Sequence, residues 1–348
     1  MSTNPADKYA ETVRREREEK PVKIDRLDGN VIANLPRGAQ VLSVVLWGIS
    51  KWQVSGPPRC CAIDMKDQRA SGESAQREME GAFLSESAYH SYALSHVPTP
   101  VGYGEFKERP GTWFYLCEFR DMINVVLDVE KLVSLVVKVH KASMGKSPRG
   151  QYGFEVPTHL ANLFVDNTWK DSWERWFTQA MRTMYDLEKQ AQGQDDELDD
   201  LFLGLCDRVI PRLLRPLETG GRTIKPCLIH SDLWPGNCMP DTNTGELVVF
   251  DSCAFWGHNE AELGPWRAPR YHLGQLYLER YKEVMGISEP YDDWDDRNRL
   301  YALRYDFLLS ALYPENSTFR ARAKSEMRAL VDKFPEGFQE ESSTTIEK

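Results

Sequence analysis

The sequence has no long hydrophobic run and no apolar leader. A membrane helix needs about 18 or more consecutive apolar residues, and the longest apolar-rich run, Val41 to Ile49, is interrupted by Ser43 and Gly48. The first twenty residues are charged throughout and hold none of the apolar core of a secretory signal. We therefore expect a cytoplasmic protein that has no membrane partner.

Cysteine and positive charge are both in short supply. The seven cysteines are odd in number and show no C-x-x-C spacing, which favours reduced thiols over a disulfide framework and argues against a zinc site. Lys and Arg total 43 against 53 Asp and Glu, a formal net charge of -10. Because a nucleic-acid groove needs a basic face, we expect no nucleic-acid partner.

The rest of the composition is that of a globular protein with two lobes. The chain has 348 residues, of which 41% are hydrophobic, enough for a large core. The order of patterns predicts an α+β fold with a small β-rich N-terminal lobe, a larger and mostly helical C-terminal lobe, and a ligand cleft between them. The expected segments are a charged arm (1–22), the β-rich lobe (23–122), the helical lobe (123–335) and a polar tail (336–348).

Local patterns assign elements to these lobes. Short β-rich runs bounded by Gly and Pro predict strands at 41–47, 51–54, 60–65, 100–106, 112–119, 227–230 and 247–250, the last two forming a two-stranded insert in the helical lobe. Apolar periodicity and helix formers predict helices at 73–95, 129–140 and 168–189. The aromatic residues Trp169, Trp173, Trp176 and Phe177 recur at helical spacing, so we expect them to pack in the core.

The strongest chemical signal is the segment His230-Ser231-Asp232-Leu233-Trp234-Pro235-Gly236-Asn237. It has the form H-x-D-x4-N and is followed by an apolar strand that ends in Asp251. Phosphoryl transfer explains this spacing, because one carboxylate must accept a hydroxyl proton while oxygen ligands hold Mg²⁺. Asp232 is the candidate base, and Asn237 and Asp251 are the candidate metal ligands. The alternative is that Asp232 is a loop carboxylate and Asn237 a turn residue.

The run HSDLWPGN and the later VVFDSCAFWGHNEAELG resemble the fructosamine/ketosamine kinase family (the fungal, protein-ribulosamine 3-kinase-like type), within the aminoglycoside phosphotransferase and protein-kinase-like superfamily. In that family the first run reads HGDLW-x-GN, and a later FDP is followed by YGH-x-E-x-(D/E)-L. Further matches include Tyr152-Gly153-Phe154 and Leu312-Tyr313-Pro314-Glu315-Asn316. The resemblance covers roughly Val31 to Phe334.

The resemblance implies a two-lobed protein-kinase-like fold and an activity. The expected cofactors are ATP and Mg²⁺, and the expected substrate is a ketosamine, either a small molecule or a glycated protein amine. In the family the phosphate goes to the 3-hydroxyl of the sugar, and the unstable product decomposes and frees the amine. The implied role is therefore repair by deglycation.

The resemblance also implies roles for individual residues. Asp232 is the general base, Asn237 and Asp251 bind metal, Lys66 holds the phosphates, the connector residues Glu118, Phe119 and Arg120 bind adenine, and Trp234 and His258 contact the sugar. Three of these residues have plainer alternatives. Trp234 is equally well explained as core, His258 as a capped loop residue, and Lys66 as a solvated lysine at a strand end.

The β-rich lobe departs from the family pattern at several positions. The family reads E-G-E where this chain reads Glu80-Gly81-Ala82, so the glutamate that would pin Lys66 is Ala82. Glu78 and Glu80 are possible substitutes, although Glu80 lies about 200° around the helix from position 82. Asp64 replaces a more usual apolar residue, and the phosphate-covering loop at 37–40 has one glycine.

Ser231, in place of the usual glycine, is a milder departure within the helical lobe. These changes leave two other functions open. One is a kinase that acts on another hydroxylated metabolite. The other is a pseudokinase that kept the fold as a binding protein and lost turnover.

Overall fold

The computed structural model describes residues 22–24, 27–37, 43–46, 54–56, 58–59, 63–67, 73–271 and 273–340. The predictions for residues 1–21, for the loop positions 38–40 and for residues 341–348 lie outside these ranges. Among the described residues, no helix is long and apolar enough to cross a membrane. The cysteines described there, Cys117, Cys206, Cys227, Cys238 and Cys253, are all free thiols.

The N-terminal lobe contains two antiparallel sheets. The first has the order β1-β2-β4 and comprises β1 (Val22–Ile24), β2 (Ser43–Leu46) and β4 (Pro58–Arg59). The second has the order β3-β5-β7-β6 and comprises β3 (Val54–Gly56), β5 (Ile63–Asp67), β6 (Pro100–Glu105) and β7 (Trp113–Glu118). The strands predicted at 41–47, 60–65, 100–106 and 112–119 correspond to β2, β5, β6 and β7.

Helix α1 (Gly29–Asn34) packs against β6 and β7. Its Val31 joins Phe106, Phe114 and Leu116 in a small core of its own. The Asp28 side chain accepts the backbone N–H of residue 30, 107 and 108, and so ties the helix start to the turn after β6. The lobe therefore has an apolar centre that is separate from the core of the larger lobe.

Helix α2 (Glu73–Tyr92) packs against β6 and β7 and also reaches the larger lobe. Gly81 is the point of close approach, because a Cβ at this position would lie 2.6 Å from the carbonyl oxygen of Pro157. The far end of α2 contributes Tyr89, which is buried in the main core. One helix thus contacts the sheet on one side and the C-terminal lobe on the other.

The C-terminal lobe is mostly helical. Its helices are α3 (Val129–Ser143), α4 (Trp173–Gln192), α5 (Asp196–Gly204), α6 (Ile210–Leu214), α7 (Gly274–Met285), α8 (Trp294–Leu312) and α9 (Ser317–Lys333). Helix α8 is buried on nearly all sides, between α4 and α9. Side-chain caps begin several helices: Asp128, Ser172 and Asp195 accept the N–H three residues on.

The expected packing of the aromatic residues near the start of α4 is confirmed for three of them. Trp173 and Trp176 have no exposed surface and Phe177 has 2%. The Trp176 ring stacks on Phe255 with 4.1 Å between centroids. Trp169 lies before α4 begins and is half-buried against the core.

The predicted two-stranded insert is wrong in its pairing. The two predicted strands exist as β10 (Cys227–Ile229) and β12 (Leu247–Val249), but they do not pair with each other. Instead β10 pairs with β13 (Phe255–Gly257), and β12 pairs with β11 (Cys238–Pro240). Strands β11 and β13 were not predicted because β11 ends in Pro240 and β13 ends in Gly257, residues that are depleted in strands. A small hairpin of β8 (Thr158–Leu160) and β9 (Leu163–Val165) completes the lobe.

The chain passes between the lobes beside the β11–β12 hairpin. Met122 forms an isolated antiparallel bridge with Asp241. The N–H of Ile123 donates to Pro240 O at 3.0 Å, and the N–H of Thr242 donates to Asp121 O at 2.8 Å. The chain segment between the lobes is therefore hydrogen-bonded to the β11–β12 hairpin. The H-x-D-x4-N motif directly precedes the first strand of that hairpin. The boundary at residue 122 remains a prediction.

Candidate active site

The H-x-D-x4-N segment is the loop between β10 and β11, and Asp251 is the second residue of the loop between β12 and β13. Backbone bonds hold the two loops together. The Phe250 N–H donates to Asn237 O at 3.1 Å, and the Cys253 N–H donates to His230 O at 2.9 Å. The His230 ring adds a contact of 3.1 Å between Nε2 and Phe250 O. Asp251 is consequently held beside the loop that carries the candidate base.

Asp232 and Asn237 are in direct contact. The Asn237 amide nitrogen donates to Asp232 Oδ2 and to Asp232 O, both at 2.9 Å. Because both donor bonds go to Asp232, the amide oxygen of Asn237 is the atom left to face a cation. Asn237 is 6% exposed, so the contact is shielded from water.

The loops that carry Asp232 and Asp251 are joined by backbone bonds on either side of Asp251, from Phe250 to Asn237 O and from Cys253 to His230 O. Burial raises the pKa of the Cys253 thiol to about 12; Arg304 and Thr158 oppose this shift, whereas the negative charges of Asp232 and Asp251 add to it. The Asn237 amide oxygen and the Asp251 carboxylate are oxygen donors, which suit Mg²⁺. The residues present fit the cation that the sequence predicts.

Backbone conformation is unusual at two positions of this site. Ser231 has φ 70° and Asp251 has φ 64°, both in the left-handed region that L-residues seldom adopt. Such a conformation costs on the order of 1–3 kcal/mol and persists where surrounding contacts determine it. The strain therefore lies at the two loops that present the carboxylates.

Three hydrogen bonds hold Ser231 in this left-handed conformation. Its N–H donates to Glu262 Oε1 at 2.9 Å, its hydroxyl accepts from Arg304 Nη1 at 2.7 Å, and its carbonyl accepts from the Tyr305 hydroxyl. Ser231 has no exposed surface and Arg304 has 3%. A serine where the family has glycine thus gains a buried partner on α8. Sequence reasoning missed Arg304, which lies 73 residues away.

Glu262 fixes the start of the same loop. It accepts the backbone N–H groups of His230 at 2.6 Å and Ser231 at 2.9 Å, and His140 Nε2 lies 3.5 Å from its carboxylate. Burial by itself raises its pKa, but His140, His230 and the accepted N–H group together hold the pKa of Glu262 below its usual value. The carboxylate remains charged in the core and positions the residue before Asp232.

The predicted role of His258 does not fit its position. His258 is 1% exposed, and both ring nitrogens have partners: Nδ1 lies 2.9 Å from the Tyr301 hydroxyl and Nε2 lies 2.8 Å from Ser288 Oγ. Burial lowers its pKa to about 4. His258 is therefore a neutral core histidine, and the prediction that it contacts the acceptor is corrected. A motif match alone did not reveal which way the ring points.

Trp234 lies at the edge of the site and is only partly buried. Its indole covers Gly236, where an added Cβ would lie 2.2 Å from the ring. The Tyr271 ring lies 5.2 Å from it, and the Arg270 guanidinium lies 4.4 Å from the Tyr271 ring. Asp232 contributes to the raised pKa of Tyr271, after burial, and is opposed by Arg270. These aromatic residues form a wall beside the candidate base, of which sequence reasoning found Trp234 alone.

The predicted adenine-binding connector follows β7. The Glu118 N–H donates to Thr99 O at 2.8 Å, and its carboxylate accepts from the Thr99 hydroxyl and from Arg120. The backbone donor of Glu118 is thus already used within the lobe. Glu118 is the last residue of β7, whereas Phe119 and Arg120 lie after the strand, in the segment that leads to the larger lobe.

Lys66 lies on β5, as a phosphate-binding lysine requires. Strand β5 pairs with β7, and Lys66 is directly opposite Tyr115 in the register. Asp64 lies opposite Cys117. The backbone therefore sets position 66 in the sheet that faces α2.

A model of the fructosamine kinase family matches residues 65–333. The chain belongs to the fructosamine kinase family. This family membership, predicted from the two motif runs, is confirmed. The match includes Lys66 and the whole region from Asp232 to Asp251.

Two relatives show how much of the chain is similar to named family members in sequence and how similar it is. The chloroplastic protein-ribulosamine 3-kinase of Oryza sativa subsp. japonica is 31% identical over 234 residues, which are 67% of this chain and 64% of that protein. The ketosamine-3-kinase of Mus musculus is 35% identical over 215 residues, which are 56% of this chain and 66% of that protein. The chain thus spans just under two thirds of the length of these relatives.

Solved structures agree on the fold. A candidate fructosamine-3-kinase from Thermobifida fusca has a TM-score of 0.67 at 18% identity, covering 89% of this chain and 99% of that one. The apo form of a thermostable mutant of aminoglycoside phosphotransferase APH(4)-Ia has a TM-score of 0.52 at 13% identity, covering 93% and 98%. The chain therefore has the predicted two-lobed, protein-kinase-like α+β fold.

Proposed function

We propose that this protein is an ATP- and Mg²⁺-dependent kinase that phosphorylates a sugar hydroxyl of a ketosamine. The observation that supports the proposal is the pair of loops joined by backbone hydrogen bonds, one of which carries Asp232 and Asn237 and the other Asp251. The relatives named protein-ribulosamine 3-kinase and ketosamine-3-kinase support the substrate class. The product is a ketosamine phosphate whose decomposition frees the amine, so the cellular role is deglycation of small molecules or protein amines.

Each residue of the loop pair has one task in this reaction. Asp232 accepts the proton of the attacking hydroxyl, and the Asn237 amide holds the Asp232 carboxylate in place through Oδ2. The oxygen of Asn237 and the carboxylate of Asp251 would hold Mg²⁺. When bound, the cation would neutralise negative charge on the phosphoryl group that is transferred. Glu262 and Arg304 keep the loop in its strained conformation.

The acceptor and the nucleotide approach from opposite sides of this centre. The partly buried Trp234 and Tyr271 offer aromatic faces to the sugar of the ketosamine. Lys66 would contact the phosphates, and the backbone of Phe119 and Arg120 would contact adenine, with Glu118 bracing the connector through Thr99. We also propose a cytoplasmic location, in keeping with the free thiols of the described residues.

The test is an ATP-consumption assay with a panel of acceptors. We expect Mg²⁺-dependent release of ADP that rises with fructosyl- and ribulosyl-amines and does not rise with the parent sugars or an aminoglycoside. Asp232→Asn should lower kcat by about 10²- to 10⁴-fold, the usual contribution of a general base. The matched control is Asp171→Asn, since Asp171 pairs with Arg175 on an exposed surface.

Two outcomes would replace the proposal. Turnover with another hydroxylated metabolite and none with ketosamines would keep the chemistry and change the acceptor. Nucleotide binding with no phosphate transfer to any acceptor would favour the pseudokinase alternative, which Ala82 motivates. Normal turnover by Asp232→Asn would remove the assigned base and with it the mechanism.

A further inference from the structure

The segment 265–271 lies against the loop that carries the candidate base. Trp266, which has no exposed surface, donates its indole N–H to Leu233 O at 3.0 Å. At the end of the segment, the Tyr271 ring lies 5.2 Å from the Trp234 ring, measured between centroids. Leu233 and Trp234 are the two residues that follow the base in sequence. The segment therefore brings its last residues to the acceptor side of the proposed site.

Arg270 lies beside the acceptor wall, which is formed by Trp234 and Tyr271. Its guanidinium lies 4.4 Å from the centre of the Tyr271 ring. The Nε and Nη2 atoms of Arg270 are buried, and neither has a hydrogen-bond partner among the described residues. These two N–H groups form the edge of a guanidinium that binds a carboxylate through two parallel hydrogen bonds. By contrast, Arg267 of the same segment pairs with Asp295 at 2.7 Å.

The charges around Arg270 leave an excess of positive charge. In the described part of the chain, the carboxylate within 4.0 Å of its guanidinium is that of Asp306, which is beyond hydrogen-bond distance and lies closer to Arg322, at 3.3 Å. Burial raises the pKa of Asp306 to about 6, although both arginines oppose the shift. The next carboxylate, Glu326, pairs with Arg299. One buried carboxylate thus faces two guanidinium groups.

Arg304 also leaves Nε and Nη2 buried without a partner among the described residues, but its surroundings differ. It is 3% exposed, its Nη1 donates to Ser231 Oγ, and its guanidinium lies 5.3 Å from the centre of the buried Phe255 ring. Arg270 keeps 20% of its side chain exposed beside the partly buried Tyr271. Of the two arginines, Arg270 is therefore the one that a ligand in the cleft can reach.

We infer that Arg270 binds a carboxylate on the amine part of the acceptor, so that the preferred substrate is a ketosamine formed from the α-amino group of an amino acid. In such an adduct, the carboxylate carbon is three bonds from the sugar carbon that bears the nitrogen. With the sugar against Trp234 and Tyr271 and its hydroxyl at Asp232, the carboxylate would lie at the Arg270 end of the acceptor wall. The ketosamine of a protein lysine side chain has no carboxylate at that distance. The inference rests on the proposed kinase function and narrows its acceptor class.

The first experiment compares two acceptors that share the sugar and the linkage and differ in one charge, fructosylglycine and fructosylglycinamide. A hydrogen bond to a charged group changes an equilibrium by about 10- to 100-fold. We expect kcat/KM of the wild type to be higher for fructosylglycine by that factor. Equal values for the two acceptors, or a preference for the amide, would overturn the inference and leave the kinase function intact.

The second experiment measures the ratio of the two kcat/KM values in variants. Arg270→Gln should bring the ratio to within about 3-fold of one, because a neutral amide lacks the charge that pairs with a carboxylate. Arg270→Lys keeps the charge but loses the paired donors, so its ratio should be intermediate. The matched control is Arg322→Gln, which removes the other arginine at Asp306 and should keep the wild-type ratio.

The ratio separates binding of the carboxylate from a merely structural role. If Arg270 only supported the acceptor wall, Arg270→Gln would lower kcat/KM equally for both acceptors and the ratio would not change. That result would overturn the inference, as would an equal change of the ratio in Arg322→Gln.

A binding measurement on the wild type needs neither turnover nor a variant that folds. Isothermal titration calorimetry without nucleotide should give a Kd for fructosylglycine that is at least about 10-fold lower than the Kd for fructosylglycinamide. Equal Kd values, or no binding of fructosylglycine, would contradict the carboxylate site. The expected difference in Kd without phosphate transfer to either acceptor would instead remove the kinase proposal and keep this site.

Discussion

Glu262 has no exposed surface, yet its pKa lies below that of an ordinary glutamate. A buried carboxylate without partners would have the opposite shift, because burial favours the neutral acid. The backbone N–H groups of His230 and Ser231 and the nearby His140 reverse that tendency. The residue therefore contributes to stability in a way that depends on pH.

The sign of this dependence gives the first prediction. The folded pKa of Glu262 is lowered from 4.5, so its stabilising contribution is present above about pH 4.5 and is lost as the pH falls through the folded value. Glu262→Gln should lower the free energy of unfolding by about 2 kcal/mol at pH 7. The difference from wild type should shrink at pH 4, as measured by urea denaturation at both pH values.

The control for this prediction is Glu130→Gln, because Glu130 pairs with Arg280 at an exposed position. A surface pair of this kind contributes about 0–1 kcal/mol, so the variant should be close to wild type at both pH values. An equal loss from Glu262→Gln at pH 7 and pH 4 would contradict the assignment of a charged Glu262.

Individual residues also mark the limits of sequence reasoning. The contact between Asp232 and Asn237 could be predicted from the sequence because the eight-residue motif 230–237 sets their spacing. The roles of Asp232, Asn237 and Asp251 remain predictions. Arg304 and Tyr271 could not be predicted, since each reaches the site from an element distant in sequence and follows no local pattern. His258 matched a motif but supports the core, because a pattern does not encode whether a side chain faces inward.

At the scale of elements, α2 depends on its close approach to the larger lobe. A glycine inside a helix normally weakens it, and replacement by alanine stabilises by roughly 0.5–1 kcal/mol. At Gly81 the added Cβ would meet Pro157 O at 2.6 Å, so the helix would have to move away. Ser85 and Glu86 of this helix bond to Ser252, beside Asp251, and their position would change with it.

The second prediction follows from that conflict. Gly81→Ala should destabilise the protein by about 1–3 kcal/mol, the usual cost of overpacking, in place of the gain expected for an open helix. It should also lower kcat, because the face of α2 that docks on Ser252 is displaced. Thermal unfolding and the ATP-consumption assay measure the two effects, and a stabilised, fully active Gly81→Ala variant would contradict the close approach.

Element prediction succeeded where composition was clear and failed where Pro or Gly interrupted it. Strands β6 and β7 and helices α2 and α3 have six or more residues with clear composition, and each was predicted within a few positions. The apolar strands β10 and β12 have three residues each and were also predicted, whereas β11 ends in Pro240 and β13 ends in Gly257. The pairing of β10 and β12 could not be derived without them, because each of the two pairs with one of these short strands.

At the scale of the whole molecule, the lobes are joined by a polar contact within a buried interface. The Ser85 hydroxyl donates to Ser252 O, and the Ala254 N–H donates to Ser85 Oγ. Ser85 has no exposed surface. The β-rich lobe is thus tied through one helix to the loop that carries Asp251, in addition to the connector at Met122.

The third prediction concerns this junction. Ser85→Ala leaves the buried N–H of Ala254 without its acceptor and should lower the free energy of unfolding by about 1–3 kcal/mol. The midpoint of urea denaturation should fall with an unchanged slope, because the exposed surface on unfolding stays the same.

Ser91→Ala on the same helix is the matched control for this junction. The Ser91 hydroxyl bonds to the Ala88 carbonyl of its own helix and is exposed. Its removal should change the free energy of unfolding by less than about 0.5 kcal/mol. Equal effects of the two variants would show that Ser85 does not stabilise the junction of the lobes.

The raised pKa of Cys253 lowers the reactivity of its thiol towards electrophiles. At pH 7 a thiol with such a raised pKa is almost wholly protonated, and the thiolate is the reactive form. Sugar-derived aldehydes and alkylating agents would therefore attack this sulfur very slowly. If the protein acts on ketosamines as proposed, the cysteine in the Asp251 loop would in this way stay unmodified among glycating compounds.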